Sequence, residues 1–138
     1  MLGGKMAYLI DFDVKYKYNT LESGISIPIS LSTGFETVDL LAKLDTGADY
    51  CTFSREYGEL LGLEIEEGLP RIVEAYSGNT FATFGHGLSL SALGFHFDIM
   101  VYFTQDYNRR NVLGRYGWLN QMMVCVNDQT GEVYLKQY

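Results

Sequence analysis

The chain has 138 residues, of which 47% are hydrophobic and 20% are charged, and its formal net charge at pH 7 is −7. This length and composition suit one ordinary domain with a real core and exclude an intrinsically disordered protein. The acidic balance, without a cluster of Lys and Arg, argues against nucleic acid or an anionic membrane as a partner. We therefore expect a single domain over residues 1–138 that binds neither.

The amino-acid usage favours an all-β fold, because the chain has 11 Tyr, 8 Phe and 15 Gly but only 2 Pro. The two cysteines, Cys51 and Cys125, form neither a disulfide framework nor a zinc spacing. No apolar run has the length of a signal peptide or a membrane span. These features predict a cytoplasmic, reducing location.

Alternating apolar and polar residues predict most of the strands. Residues 8–18 place aromatic and aliphatic side chains on one face, which predicts a long half-buried strand. Residues 25–32 form a second strand, where Pro28 indicates a sheet edge. Residues 36–44 return as a strand that ends at Asp45.

The chain after Asp45 contains two predicted hairpins and two short helices. Turns are expected at Ser77-Gly78-Asn79 and at Ala92-Leu93-Gly94. Ser54 could cap a helix over 55–61, and another short helix is expected around 116–122. The remaining predicted strands are, in chain order, 71–76, 80–84, 88–91, 95–103, 123–126 and 132–136.

Two segments carry the candidate chemistry. In Ala42-Lys-Leu-Asp-Thr-Gly-Ala-Asp49 a mostly apolar strand delivers one carboxylate, that of Asp45, into a tight turn. Such a turn holds an acid on rigid backbone, as acid/base chemistry requires, although Asp and Gly also occur in ordinary turns. The second segment is Asn111-Val-Leu-Gly-Arg-Tyr-Gly-Trp-Leu119. The first resembles the active-site loop of the retropepsin-like aspartic proteases, and the second resembles their hydrophobic-hydrophobic-Gly-Arg segment.

The resemblance implies a closed, mostly antiparallel β-barrel with a flap hairpin and one or two short helices. Residues 1–24 are then an N-terminal strand extension of a single retropepsin-like domain over residues 1–138. The implied activity is that of an aspartic endopeptidase without metal or other cofactor, acting on an extended peptide or protein. The flap and its substrate-binding residues are expected at Tyr76, Ser77, Gly78 and Asn79.

Hydrolysis by this mechanism needs two carboxylates that share one proton, so that one acts as base and the other as acid. The chain has a single Asp-Thr-Gly and is too short for two lobes. A two-fold homodimer supplies the second carboxylate, so we expect Asp45 of both subunits to activate the lytic water.

Further roles within the loop follow from the resemblance. Thr46 makes hydrogen bonds across the dimer axis, and Gly47 lets the backbone approach the substrate. Ala48 has no hydroxyl to favour the ionised carboxylate, which predicts a less acidic optimum than that of pepsin-like enzymes. Asp49 and Arg115 form an ion pair that braces the loop within one subunit.

The chain also departs from the family pattern. Tyr116 stands after Gly-Arg, where retroviral proteases usually carry Asp or Asn, and the hairpin tip has fewer glycines than retroviral flaps. Two alternatives therefore stay open: a non-catalytic peptide-binding or dimerisation module on the same fold, or an unrelated β-barrel with Asp45 in an ordinary turn. His86 and His96 lack metal-ligand spacing, and Cys51 lacks an activating neighbour, so a buried thiol is expected there.

Overall fold

The computed structural model describes residue 4 and residues 6–138; the remainder of the predicted N-terminal extension, residues 1–3 and 5, lies outside the described residues. The described part contains strands β1 (Val14–Lys17), β2 (Ser26–Ser32), β3 (Thr37–Leu44), β4 (Thr52–Phe53), β5 (Leu69–Glu74), β6 (Thr80–Ala92), β7 (Phe95–Thr104), β8 (Val112–Leu113), β9 (Met122–Asn127) and β10 (Glu132–Gln137). One α-helix, α1 (Arg55–Leu60), and two 3-10 turns, Ile65–Glu67 and Leu119–Gln121, complete the regular structure of these residues.

The strands form two sheets. A three-stranded sheet has the order β1-β10-β9, and a seven-stranded sheet has the order β2-β3-β8-β4-β7-β6-β5. A further pairing of β2 with β6, from Ile29↔Ala92 to Ser32↔Ser89, curls the larger sheet around the core. Only the β3–β8 and β4–β7 pairs among these strands are parallel. This mostly antiparallel, barrel-like arrangement confirms the predicted fold class.

The core lies inside the curled sheet and follows from the period of two in its strands. On β7 the predicted apolar face is largely buried, while the alternate residues His96, Asp98 and Met100 are exposed. Trp118 and Phe53 are completely buried beside this face. Each such side chain contributes about 1.5–3 kcal/mol through its burial.

Local chemistry explains the turns and the helix. The β6–β7 turn has positive φ at Leu93 (51°) and Gly94 (90°), as a two-residue hairpin turn requires. The predicted helix forms at Arg55–Leu60, but Ser54 makes no side-chain capping hydrogen bond. Its Oγ instead accepts a hydrogen bond from the backbone N–H of Arg109 at 2.8 Å.

The predicted strand over 8–18 is wrong for its first half, since only Val14–Lys17 is a strand. Tyr8 and Ile10 are 80% and 56% exposed. An alternating pattern shows which face could be buried, but a strand also needs a neighbour. The partner strand β10 ends at Gln137, only two residues past Leu135, the partner of Val14.

Three smaller expectations are also corrected. The segments 80–84 and 88–91 belong to one continuous strand, β6, because Gly85 and Gly87 remain in extended pairing. The helix expected around 116–122 is only the 3-10 turn Leu119–Gln121. Strand β2 is not an edge strand, because it pairs with both β3 and β6. Pro28 itself pairs only with Leu41 of β3, so its missing backbone N–H leaves no bond to β6 unmade.

No α-helix among the described residues is long and apolar enough to cross a bilayer.

Candidate active site

The loop after β3 forms a hydrogen-bonded turn around Asp45. The Asp45 N–H donates to the Leu113 carbonyl at 3.1 Å, and the Ala48 N–H donates to the Asp45 carbonyl at 3.2 Å. The Gly47 N–H donates to Asp45 Oδ1 at 2.9 Å. The Asp45 residue is half-buried. The turn therefore fixes the direction of the carboxylate while leaving it accessible.

The second sequence motif packs directly against this loop. Strand β8 runs parallel to the end of β3, with Leu113 beside Leu44. Beyond β8, the Arg115 N–H donates to the Ala48 carbonyl at 2.8 Å, and the Tyr116 N–H donates to the Asp49 carbonyl at 2.7 Å. The two motifs found in the sequence are thus neighbours in space, joined by main-chain hydrogen bonds.

Gly114 permits this close approach. A Cβ atom at this position would lie 2.3 Å from the Tyr50 carbonyl oxygen and 2.9 Å from that of Ala48. These contacts are with backbone atoms, which cannot rotate away as the end of a side chain can. The Gly of the Gly-Arg motif is therefore required by packing.

The predicted ion pair between Asp49 and Arg115 is not formed in this structure. No contact within 4.0 Å joins the two side chains in the described part of the chain, and both residues are exposed. The Arg115 guanidinium instead lies 5.8 Å from the centre of the Tyr116 ring. An exposed pair gains little over two solvated ions, whereas the main-chain bonds beside it already join the segments.

The other loop residues are placed as follows. Thr46 is exposed, and its hydroxyl makes no hydrogen bond within the described residues. Gly47 lies so close to the carboxylate that a Cβ there would be 3.3 Å from Asp45 Oδ1. Ala48 is half-buried and Asp49 is exposed.

The hairpin expected to be a flap is present as the connection between β5 and β6. The Ala75 N–H donates to the Asn79 carbonyl at 2.7 Å, and Gly78 has a φ of 87°. Ser77, Gly78 and Asn79 are exposed, and Tyr76 is completely so. Among the described residues, no hydrogen bond connects this tip to the 45–49 loop.

A cluster beside the loop was not predicted from the sequence. The guanidinium of Arg71, on β5, lies over the rings of Tyr50 and Tyr102, with Cζ 4.4 Å and 5.3 Å from their centres. The Tyr102 hydroxyl is the largest cause that raises the pKa of Arg71, and the Tyr50 hydroxyl adds to it. The sequence signal was weak: Arg71 is the only basic residue of β5, and Tyr50 directly follows Asp49.

The remaining candidate residues are Cys51, His86 and His96, and the contacts of each are those of a structural residue. Burial raises the pKa of the Cys51 thiol to about 11, which is inconsistent with a nucleophile at neutral pH. His86 Nε2 lies 3.0 Å from the Ile65 carbonyl oxygen, and His96 Nδ1 lies 2.7 Å from Ser91 Oγ. Within residue 4 and residues 6–138, no three His, Cys, Asp or Glu side chains are grouped so that they could hold a metal ion.

Comparison with known proteins finds similarity in structure only. No protein-family model and no curated protein matches the sequence. A retropepsin-like aspartic protease from Rickettsia conorii has a TM-score of 0.62 at 16% identity, over 94% of this chain and 96% of that one. EIAV protease complexed with the inhibitor HBY-793 has a TM-score of 0.54 at 20% identity, over 72% of this chain and 88% of that one.

At these identities the similarity concerns the course of the backbone. It extends over nearly the whole of both chains for the rickettsial protein. Together with the packing of the Asp-Thr-Gly turn against the Gly-Arg segment, it shows that the chain has the retropepsin-like fold.

Proposed function

We propose that this chain is an aspartic endopeptidase whose active form is a homodimer. The observation that carries the proposal is the accessible Asp45 carboxylate, fixed in a turn that main-chain hydrogen bonds join to residues 114–116. Its occurrence on a fold shared with two aspartic proteases supports peptide hydrolysis as the reaction.

The dyad is formed by Asp45 and the same residue of a second copy. Each chain supplies one carboxylate, and its Oδ1 accepts the Gly47 N–H. Two such carboxylates at close range hold one proton between them, because both cannot be ionised. The ionised member removes a proton from water, and the protonated member donates to the carbonyl oxygen of the scissile peptide bond. The exposed Thr46 hydroxyl is then available for contacts across the dimer axis.

The substrate is an extended peptide that lies between the 45–49 loop and the 75–79 hairpin tip. Extended peptides bind by adding main-chain hydrogen bonds as a strand does, with alternate side chains in pockets. Movement of the exposed tip, including Tyr76, over the peptide would exclude water from the reaction.

Incubation with a diverse peptide library from pH 4 to 7, read by mass spectrometry, tests this activity. We expect cleavage by the wild-type chain and none by Asp45→Asn, while Asp98→Asn, an exposed carboxylate on β7, leaves cleavage unchanged. Because Ala48 lacks a hydroxyl, we expect the optimum at a less acidic pH than for pepsin-like enzymes. If wild type and Asp45→Asn show no difference in cleavage products, in a preparation shown to be dimeric, the chain would instead be a non-catalytic peptide-binding module.

A further inference from the structure

The cluster of Arg71, Tyr50 and Tyr102 joins the loop to the hairpin. Tyr50 continues directly from the loop, and its ring packs on that of Tyr102 with centres 5.2 Å apart. Arg71 Nη1 donates to the Tyr50 hydroxyl at 2.7 Å, while its guanidinium covers both rings. The cationic cluster therefore lies between the loop and β5, the first strand of the hairpin.

Gly85 allows this arrangement. Gly85 pairs with Tyr102 across β6 and β7, and a Cβ atom on it would lie 2.8 Å from the Tyr102 ring. The Tyr102 ring therefore occupies the space above β6 and reaches towards β5, which carries Arg71. Arg71 is fixed by its backbone as well, since its carbonyl accepts a hydrogen bond from the buried Thr83 hydroxyl at 2.8 Å.

The charge of this cluster is not neutralised within the described part of the chain. Arg71 is half-buried, has no carboxylate within 4.0 Å among those residues, and its buried Nε has no hydrogen-bond partner there. Arg55 provides the contrast, because its guanidinium contacts Glu59 at 3.1 Å and Glu66 as well. A partly desolvated cation with only phenol neighbours favours an anion as its next partner.

We propose that Arg71 is a specificity-determining residue that binds an acidic side chain of the peptide substrate. This inference rests on the proposed peptidase function. Nη1 donates to the Tyr50 hydroxyl, whereas Nε, which together with Nη2 forms the guanidinium edge that binds carboxylates in a bidentate manner, has no hydrogen-bond partner among the described residues. Binding at this edge requires the side chain to rotate, because Nε is buried. A Glu or Asp at one position of the substrate is therefore preferred over its amide.

The test measures peptide binding separately from cleavage. In the Asp45→Asn background, which cannot hydrolyse the ligand under the proposal, we would titrate a series of fluorescent peptides derived from a cleaved sequence. Each member carries one Glu at a successive position and is paired with the Gln peptide. We expect one position at which Glu binds about tenfold tighter than Gln. Arg71→Gln should bring that ratio close to one, and Arg71→Lys should retain part of it.

The matched control is Arg109→Gln, since Arg109 is an exposed arginine paired with Asp106. It should leave the Glu preference intact, and thermal unfolding of every variant should confirm that each is folded. Peptide binding without a Glu preference, or a preference that survives in folded Arg71→Gln, overturns the inference and leaves the peptidase function standing. If wild type cleaves no peptide of the library, there is no cleaved sequence from which to derive the series, and the proposed function itself is contradicted.

Discussion

Gly114 is a point of close contact between the two halves of the candidate site. A side chain there would overlap with the carbonyl groups of Ala48, in the loop that carries Asp45, and of Tyr50, which directly follows that loop. Relief of that overlap requires the loop to move relative to β8, and it would lengthen the hydrogen bond between Arg115 N–H and the Ala48 carbonyl. The geometry of the carboxylate therefore depends on a residue that has no functional group.

We expect Gly114→Ala to lower the free energy of unfolding by about 1–3 kcal/mol and to reduce Asp45-dependent cleavage. Urea denaturation measures the first effect. Gly87→Ala is the matched control, because a Cβ atom at Gly87 meets nothing within 4 Å and its backbone is extended. That control should remain within about 0.5 kcal/mol of wild type. Equal stability of the two variants would contradict the packing role of Gly114.

The two cysteines should differ in reactivity. Burial raises the pKa of Cys51 to about 11, so it holds almost no thiolate at pH 8, whereas Cys125 is exposed. We expect iodoacetamide at pH 8 to label Cys125 first and Cys51 only after unfolding in urea. Peptide mapping by mass spectrometry distinguishes the two sites, and equal labelling rates in the folded protein would contradict the burial of Cys51.

At the scale of elements, prediction succeeded where one local signal determines the structure. The β6–β7 turn is an example, because Leu93-Gly94 takes the positive φ values that its position requires. The Asp-Thr-Gly and Gly-Arg motifs were likewise sufficient to anticipate one fold, since each depends on main-chain packing.

Prediction failed where the outcome depends on a distant partner. Residues 8–11 alternate like a strand but extend past the end of β10, so they have no strand of this sheet to pair with. The Arg71 cluster could not be read from the sequence either, because it depends on Gly85 making room for a ring from β7. The predicted ion pair of Asp49 and Arg115 is absent for another reason, because an ion pair between exposed side chains is only weakly stabilising.

Tyr18 connects the end of β1 to the turn between β9 and β10. Its hydroxyl donates to Asp128, 110 positions away in the chain, and its backbone N–H donates to the Gly131 carbonyl at 2.9 Å. The bond to Asp128, together with burial, raises the pKa of Tyr18 to about 12 from a usual value of 10.0. The folded state thus favours the protonated phenol.

The resulting stability is fully present below pH 10 and is lost as the pH rises towards about 12. We expect wild type to be more stable than Tyr18→Phe in urea at pH 8, with the difference shrinking above pH 10. Tyr134→Phe is the control, because the Tyr134 hydroxyl makes no hydrogen bond among the described residues. A difference that stays constant to pH 11.5 would show that the Tyr18 hydroxyl is not the cause.

At the scale of the whole molecule, the described chain exposes an apolar segment, residues 6–10, that a dimer could cover. Leu9 is completely exposed and Ile10 is 56% exposed. If the second copy packs on this segment, Leu9→Ser together with Ile10→Ser should weaken dimerisation at least about tenfold, since each buried side chain contributes about 1.5–3 kcal/mol. Analytical ultracentrifugation measures the dissociation constant. Leu21→Ser is the control, because Leu21 is 94% exposed and lies outside this segment, and it should leave the dissociation constant unchanged. If the double variant also leaves the dissociation constant unchanged, the interface lies on another surface.

The proposed dyad makes activity a property of the pair of chains. When equal amounts of wild type and Asp45→Asn exchange subunits freely, only about a quarter of the dimers contain two Asp45 carboxylates. We expect the cleavage rate per total protein to fall to about a quarter of the wild-type rate, because a dyad with one carboxamide cannot share a proton in the same way. Two independent sites would retain about half.

Native mass spectrometry of a mass-tagged Asp45→Asn chain shows whether mixed dimers have formed, and mixing with Asp98→Asn provides the control, which should keep the full rate. A rate near one half despite complete exchange would mean that each chain acts alone. The single Asp45 of each barrel would then have to work without its counterpart, and the requirement for a second copy, which follows from one Asp-Thr-Gly per chain, would be wrong.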